Sequence, residues 1–145
     1  MKMPKQIDPI WLAPCGVNCL ACTGHLRKKP CGGCRGPKEL IRQSCRSCVR
    51  RNCAEQRGLT WCHECGDFPC KYIKTLDKTY RTRYKVSLIG NLERAREEGV
   101  ETMLAGEREH WLCECGGIIC QHDGICSECG AILKEDESVP WGDRP

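Results

Sequence analysis

Sixteen of the 145 residues are cysteine, and ten of them stand in five Cys-x-x-Cys pairs: Cys19/Cys22, Cys31/Cys34, Cys45/Cys48, Cys62/Cys65 and Cys126/Cys129. Two side chains three residues apart can grip one ion from a tight turn, and a second pair from elsewhere completes a tetrahedron. The chain needs such staples. Leu, Ile, Val and Phe together supply 26 of 145 residues, or 18%, below the roughly 20% where a hydrophobic core stops sufficing. A short chain with so little apolar surface holds itself together with disulfides or metals.

Metals are the expected staple. Met1 to Pro14 contains no apolar run of the roughly 7–15 residues that marks a secretory signal. A cytoplasmic chain with reduced thiols follows as the expectation. No stretch approaches the roughly 20 apolar residues of a membrane span. The formal net charge of +4 counts each cysteine as neutral. Every four-thiolate zinc site would carry −2 overall by deprotonation of its ligands, so only local charge informs.

Three zones and a tail are expected along the chain. Residues 1–70 form a cysteine-rich metal-binding region with eleven of the cysteines, and residues 71–112 a helical segment with none. Residues 113–132 form a zinc-ribbon-like module, and 133–145 an acidic flexible tail. The fold class expected is a small metal-stabilised α+β protein: a zinc-knuckle region, a helical middle and a C-terminal zinc ribbon. Leu88, Leu92 and Ala95 recur at helical spacing, with Ile89 widening the stripe. Gly99 reads as a helix stop. A second helix fits Val100, Met103, Leu104 and Trp111, and Tyr72, Ile73 and Leu76 point to another just after Cys70.

The C-terminal ligand set reads most clearly. Cys126-Ser-Glu-Cys129-Gly130 has a zinc-knuckle pattern, in which a glycine after the second cysteine suits left-handed backbone. Its partner is Cys113-Glu-Cys115-Gly116-Gly117, with one residue between the cysteines. Cys120 or His122 could replace one of these ligands. The N-terminal set is Cys15, Cys19, Cys22, Cys31, Cys34, Cys45, Cys48, Cys53, Cys62, Cys65 and Cys70. Eleven thiols fill two four-ligand sites with three left over, or three sites if His25 or His63 supplies the twelfth ligand. About three or four zinc ions are therefore expected, by the four-ligand rule.

Rival chemistries are weighed on the same residues. Four cysteines also hold an iron–sulfur cluster, so a redox or electron-transfer protein is the alternative. The ferredoxin run of four closely spaced cysteines before a proline is absent, and the knuckle glycines favour zinc. Cys15-x3-Cys19-x2-Cys22 has the spacing of the cluster hook of radical S-adenosylmethionine enzymes. Those need most of an α/β barrel of about 200 residues, and the alternating strands and helices are missing here. No thioredoxin-like setting surrounds any Cys-x-x-Cys pair, and no other catalytic motif emerges. A binding role without catalysis is expected, with a protein as partner.

Residues 27–57 carry ten Lys or Arg against two acids. If helical, Arg42, Arg46, Arg50 and Arg51 would form a stripe able to meet nucleic acid. The simpler expectation is a solvated face that offsets thiolate charge.

The motif order also resembles a known family, the domain of unknown function 3795. The likeness is carried by Ala13-Pro-Cys15-Gly-Val-Asn-Cys19-x-x-Cys22 and by Cys31-Gly-Gly-Cys34-Arg-Gly. Arg51-Asn-Cys53, Gly58-Leu and Cys62-x-x-Cys65-x-x-Phe68-Pro-Cys70 continue it. Longer members resemble the rest through Asn91-Leu, Gly99, Trp111, Cys115-Gly-Gly, Cys120-Gln-His122 and Cys126-x-x-Cys129-Gly. The resemblance spans about residues 13–130, and Cys45/Cys48 is an addition to its pattern. It implies a small prokaryotic cysteine-rich protein taken to bind zinc, and it brings no reaction.

Overall fold

The apolar stripe of the middle zone sits on helices. In the computed structural model, which describes residues 1–26 and 30–132, α1 (Gln43–Arg46), α2 (Val49–Gln56), α3 (Lys71–Tyr84), α4 (Leu88–Glu98) and α5 (Val100–Trp111) carry the helical structure. The acidic tail at 133–145, and Arg27, Lys28 and Lys29 of the basic stretch, lie outside the described residues. No helix among the described residues is long and apolar enough to cross a membrane.

Each boundary in the middle zone has a local cause. Lys85, at φ 58°, turns left-handed and ends α3. The Ser87 hydroxyl accepts the Gly90 N–H at 2.9 Å and so caps α4. Asp77, buried on α3, accepts the Ser87 hydroxyl at 3.1 Å and the Ile89 N–H at 2.9 Å. One carboxylate thereby fixes the start of the next helix. Gly99, at φ 93°, breaks the chain between α4 and α5. The two helices then pack with Leu88, Leu92, Ala95, Met103, Leu104 and Trp111 buried. Asp77→Ala is expected to cost about 2 kcal/mol, because it strands a helix-start N–H and a buried hydroxyl. Urea unfolding of the metal-loaded protein checks this, and a change under about 0.5 kcal/mol, the size of an ordinary surface substitution, would contradict it.

The β component is smaller than the expected ribbon. Among the described residues it consists of isolated antiparallel bridges: Lys2 with Gly117, Leu12 with Asn18, Leu112 with Ile118, Ile119 with Cys126, and Ile125 with Ile132. The cysteine hooks turn the chain too often for a strand to propagate between them. The Arg42–Arg51 stripe is also interrupted. Ser47 is non-helical between α1 and α2.

The zones meet in one hydrophobic core that includes Leu12, Leu20, Ile73, Leu88, Trp111 and Ile118. Contacts across long sequence separations hold them together. Gly16 lies against α4, where its carbonyl accepts the buried Asn91 amide at 3.0 Å. The Gln121 main chain donates to the Ala21 carbonyl at 2.9 Å, and its side chain to the Asn18 carbonyl at 2.7 Å. The Met3 N–H donates to the Gly116 carbonyl, and the Ile118 N–H to the Met1 carbonyl, each at 2.9 Å. The Met1 ammonium also pairs with Glu128.

Candidate metal centres

All sixteen cysteines are free thiols, and the fold sorts fifteen of them into three sets. The C-terminal set is the tightest. The Sγ atoms of Cys113, Cys115, Cys126 and Cys129 all lie within 4.8 Å of one another. Cys113 to Cys129 and Cys115 to Cys126 are 3.6 Å apart. A tetrahedron with zinc–sulfur bonds of about 2.3 Å has edges of about 3.8 Å, so these four side chains fit one such ion.

Backbone geometry builds this set. Gly116 at φ 89° and Gly130 at φ 75° follow the second cysteine of each hook in the left-handed conformation. The turns aim amides at sulfur: Gly117 N–H to Cys115 at 3.3 Å and Glu128 N–H to Cys126 at 3.4 Å. The shorter Cys113-Glu-Cys115 hook therefore works as the longer one does. A Cβ on Gly117 would stand 2.7 Å from the Cys126 sulfur, so only glycine lets the hooks close. Burial pushes the Cys126 thiol up, but the Cys129 and Glu128 amides and the neighbouring thiols outweigh it and bring it to about 6. At Cys113 the Cys115 amide draws the thiol down, while desolvation and the three facing thiols carry it up to about 12. Amides stabilise one thiolate here, and crowding opposes several together until a cation balances them.

The N-terminal cysteines divide between two cavities. Cys15, Cys19, Cys22, Cys31, Cys34, Cys45 and Cys48 line one of about 190 Å³, with His25. Cys53, Cys62, Cys65 and Cys70 line the other, of about 310 Å³. Spacing along the chain could not show this division, because it depends on how α2 and α3 bring Cys53 and Cys70 to the Cys62/Cys65 turn.

His25 stands in the tautomer of a metal ligand. Its Nδ1 lies 2.9 Å from the Cys31 carbonyl, which can only accept, so Nδ1 donates and Nε2 is the nitrogen left to face a metal. The ring packs at 4.4 Å against Trp11. Seven thiols and this imidazole make eight ligands, enough for two four-ligand ions. His63, the other candidate, has its Nε2 buried without a hydrogen-bond partner, and its ring stacks on Trp61. Burial pushes Cys15 far up, with Cys34 adding to it. Cys34 is pushed up chiefly by its contact with Cys19, and Cys45 chiefly by its contact with Cys34.

Cys120 and His122 take other partners. The Cys120 thiol meets the Thr23 hydroxyl at 3.5 Å, which makes it the sixteenth cysteine, outside the three sets. His122 Nδ1 accepts the Thr23 N–H at 3.1 Å. The proton therefore sits on Nε2, which faces the Tyr80 hydroxyl at 3.0 Å. Both ring nitrogens are engaged, and burial holds the imidazole below its usual range.

The arginines of the basic stretch largely serve the fold. Arg46 donates to the Ile41 carbonyl at 3.0 Å, Arg50 to that of Tyr72 at 2.9 Å and Arg51 to that of Cys34 at 2.9 Å. Arg42 and Arg50 also line the seven-cysteine cavity, where their charge opposes that of thiolates. Arg57 reaches the Cys65 sulfur at 3.1 Å and Asp67 at 3.2 Å. Sequence reasoning missed that contact, since only its charge was visible.

These eleven N-terminal thiols fall within a segment that is similar to a family of known sequence pattern. Residues 11–75 match the family model described as "Protein of unknown function (DUF3795)". No curated protein and no solved structure matches the chain. The DUF3795 match covers both N-terminal cavities' cysteines and stops before α4, α5 and the C-terminal hooks. The resemblance of the sequence to DUF3795 is thus shown for the first eleven of the sixteen cysteines.

Proposed function

We propose that this protein is a multi-zinc scaffold, an interaction module without catalysis of its own. The observation that carries the reading is the C-terminal tetrad, whose sulfur spacing and amide-to-sulfur bonds match the needs of one tetrahedral zinc. The N-terminal sets extend it. Two further ions suit the seven thiols with His25, and a fourth centre suits Cys53, Cys62, Cys65 and Cys70. The C-terminal module then acts as a reduced zinc ribbon, with hooks kept and strands shortened to bridges. The thiolate centres offer structure and charge, and Leu40, Val49 and Tyr72 place apolar side chains on the exterior. We take the partner to be a protein, met in the cytoplasm, where thiols stay reduced. Nucleic acid is the weaker partner, because Arg46, Arg50 and Arg51 are already bound to main-chain carbonyls.

Elemental analysis of the full chain, purified without added metal, tests the reading. Three or four bound metal ions or clusters per chain are expected from the four-ligand sets, one of them a zinc that is lost when Cys115 and Cys129 are replaced by serine. A chain that folds with no zinc, or whose zinc content ignores those substitutions, would overturn it.

A further inference from the structure

The tetrad of Cys53, Cys62, Cys65 and Cys70 differs from the C-terminal one in size, turn geometry and surroundings. Among the described residues, three or more ligand atoms lie within 4.8 Å of one another in the C-terminal group and in neither N-terminal set. The second tetrad instead borders a cavity of about 310 Å³. Four thiolates on a single zinc must approach to about 3.8 Å of one another. In an iron–sulfur cluster the thiolates are shared among several irons, with sulfides filling the space between, so the same four cysteines stand farther apart.

Turn geometry agrees. Gly66 follows Cys65 as Gly130 follows Cys129, yet it lacks the positive φ that Gly116 and Gly130 share. The knuckle of a compact zinc hook is therefore absent at this site. Cys53 and Cys70 belong to no hook here: one rises from α2 and the other caps α3. Leu59, Phe68 and Ile73 wall the cavity, an apolar lining suited to a polarisable, sulfide-faced group. Hydrogen bonds reach its rim, from the Asp67 N–H to Cys65 at 3.4 Å and from Arg57 to the same sulfur at 3.1 Å. Such bonds to cluster sulfur tune and retain clusters.

We infer that this cavity is the binding site of an iron–sulfur cluster held by Cys53, Cys62, Cys65 and Cys70. The inference goes beyond the zinc scaffold and does not depend on the C-terminal ion. It replaces only the fourth zinc by a cluster.

The test is iron, acid-labile sulfide and zinc analysis of the full chain, purified without oxygen, with a visible absorption spectrum. A second sample is reconstituted with ferrous iron and sulfide. Brown protein with iron matched by sulfide, about two or four of each per chain, is expected, and the ratio tells a two-iron from a four-iron cluster. Cys53→Ser with Cys70→Ser should remove the colour and leave the zinc. Cys115→Ser with Cys129→Ser should remove one zinc and leave the colour, so failure of the zinc reading and failure of this one are separable. Colourless protein after reconstitution, iron without sulfide, or colour that survives Cys53→Ser with Cys70→Ser would each overturn the inference. Should the Cys53 and Cys70 variants fail to fold, the iron and sulfide content of the reconstituted unsubstituted chain still decides, and Arg57→Ala gives a milder probe. A shift in the absorption of that variant with unchanged zinc supports a cluster beside Cys65, and an unshifted spectrum counts against it.

Discussion

Stripping the metal with a strong chelator is expected to unfold the chain, with loss of the helical circular-dichroism signal and of a cooperative melt. Structural zinc supplies about 10–16 kcal/mol per site in small zinc domains, against a typical net stability of about 5–15 kcal/mol for a whole domain. The apolar core is too small to absorb such a loss. Nor can the centres fail alone. The C-terminal hooks hold Met1 and Met3 through main-chain bonds, and Gln121 holds the Asn18–Ala21 turn. Removing an ion held by the C-terminal hooks would therefore loosen the loop that carries Cys19 and Cys22. Helix α4 leans on that same loop through Asn91 and Gly16. The measurement is far-ultraviolet ellipticity and melting during a chelator titration, with released zinc followed in parallel. Protein that keeps its ellipticity and melting point after complete metal removal would refute the scaffold reading.

Gly16→Ala is expected to destabilise the metal-loaded protein by about 2–5 kcal/mol, combining a backbone overlap of about 1–3 with a left-handed conformation costing about 1–2. Gly16 has φ 93°, and a Cβ there would stand 2.8 Å from the Leu88 carbonyl oxygen and 3.0 Å from Leu92 Cγ. The nearest atom belongs to the main chain of α4, so the strain cannot relax by a rotamer change. Moving the loop would also break the Asn91 to Gly16 bond and shift Cys15 beside it. Gly58→Ala is the control. Gly58 also has a positive φ, 69°, but nothing lies within 4 Å of its would-be Cβ, so only the conformational cost of about 1–2 kcal/mol remains. Denaturant unfolding of both variants decides the point, and equal losses would show that the close approach to α4 carries no weight.

Much of the architecture could be read in the chain before the structure, for reasons local to particular residues. The Leu88, Leu92 and Ala95 stripe and the Gly99 break needed only helical periodicity and glycine's freedom at positive φ. The clustering of the four C-terminal thiols was legible because a Cys-x-x-Cys-Gly turn carries its own geometry, and Gly116 gives the shorter Cys113 hook the same exit. The division of the eleven N-terminal cysteines was not legible. Cys53 joins Cys62, Cys65 and Cys70 only because α2 packs beside α3, and sequence spacing holds no record of that contact. Cys120 and His122 were weighed as replacement ligands, yet they bind Thr23 and Tyr80, residues about a hundred and about forty positions away. The arginine stripe read as a surface face because charge is visible in sequence, whereas the carbonyls of Ile41, Tyr72 and Cys34 that receive Arg46, Arg50 and Arg51 are not.

The bonds from Gln121 to Asn18 and Ala21 also impose a timetable on folding. They close a loop of 103 residues, and contacts so distant in sequence form late, because the chain must first surrender the freedom of everything between them. During synthesis the first eleven thiols emerge well before the segment that locks their leading loop in place. In that interval each is open to oxidation or to capture of the wrong ion. For a chain that loads metal as proposed, the supply of metal and reducing power in that interval would bear on the yield of native protein alongside the stability of the finished fold.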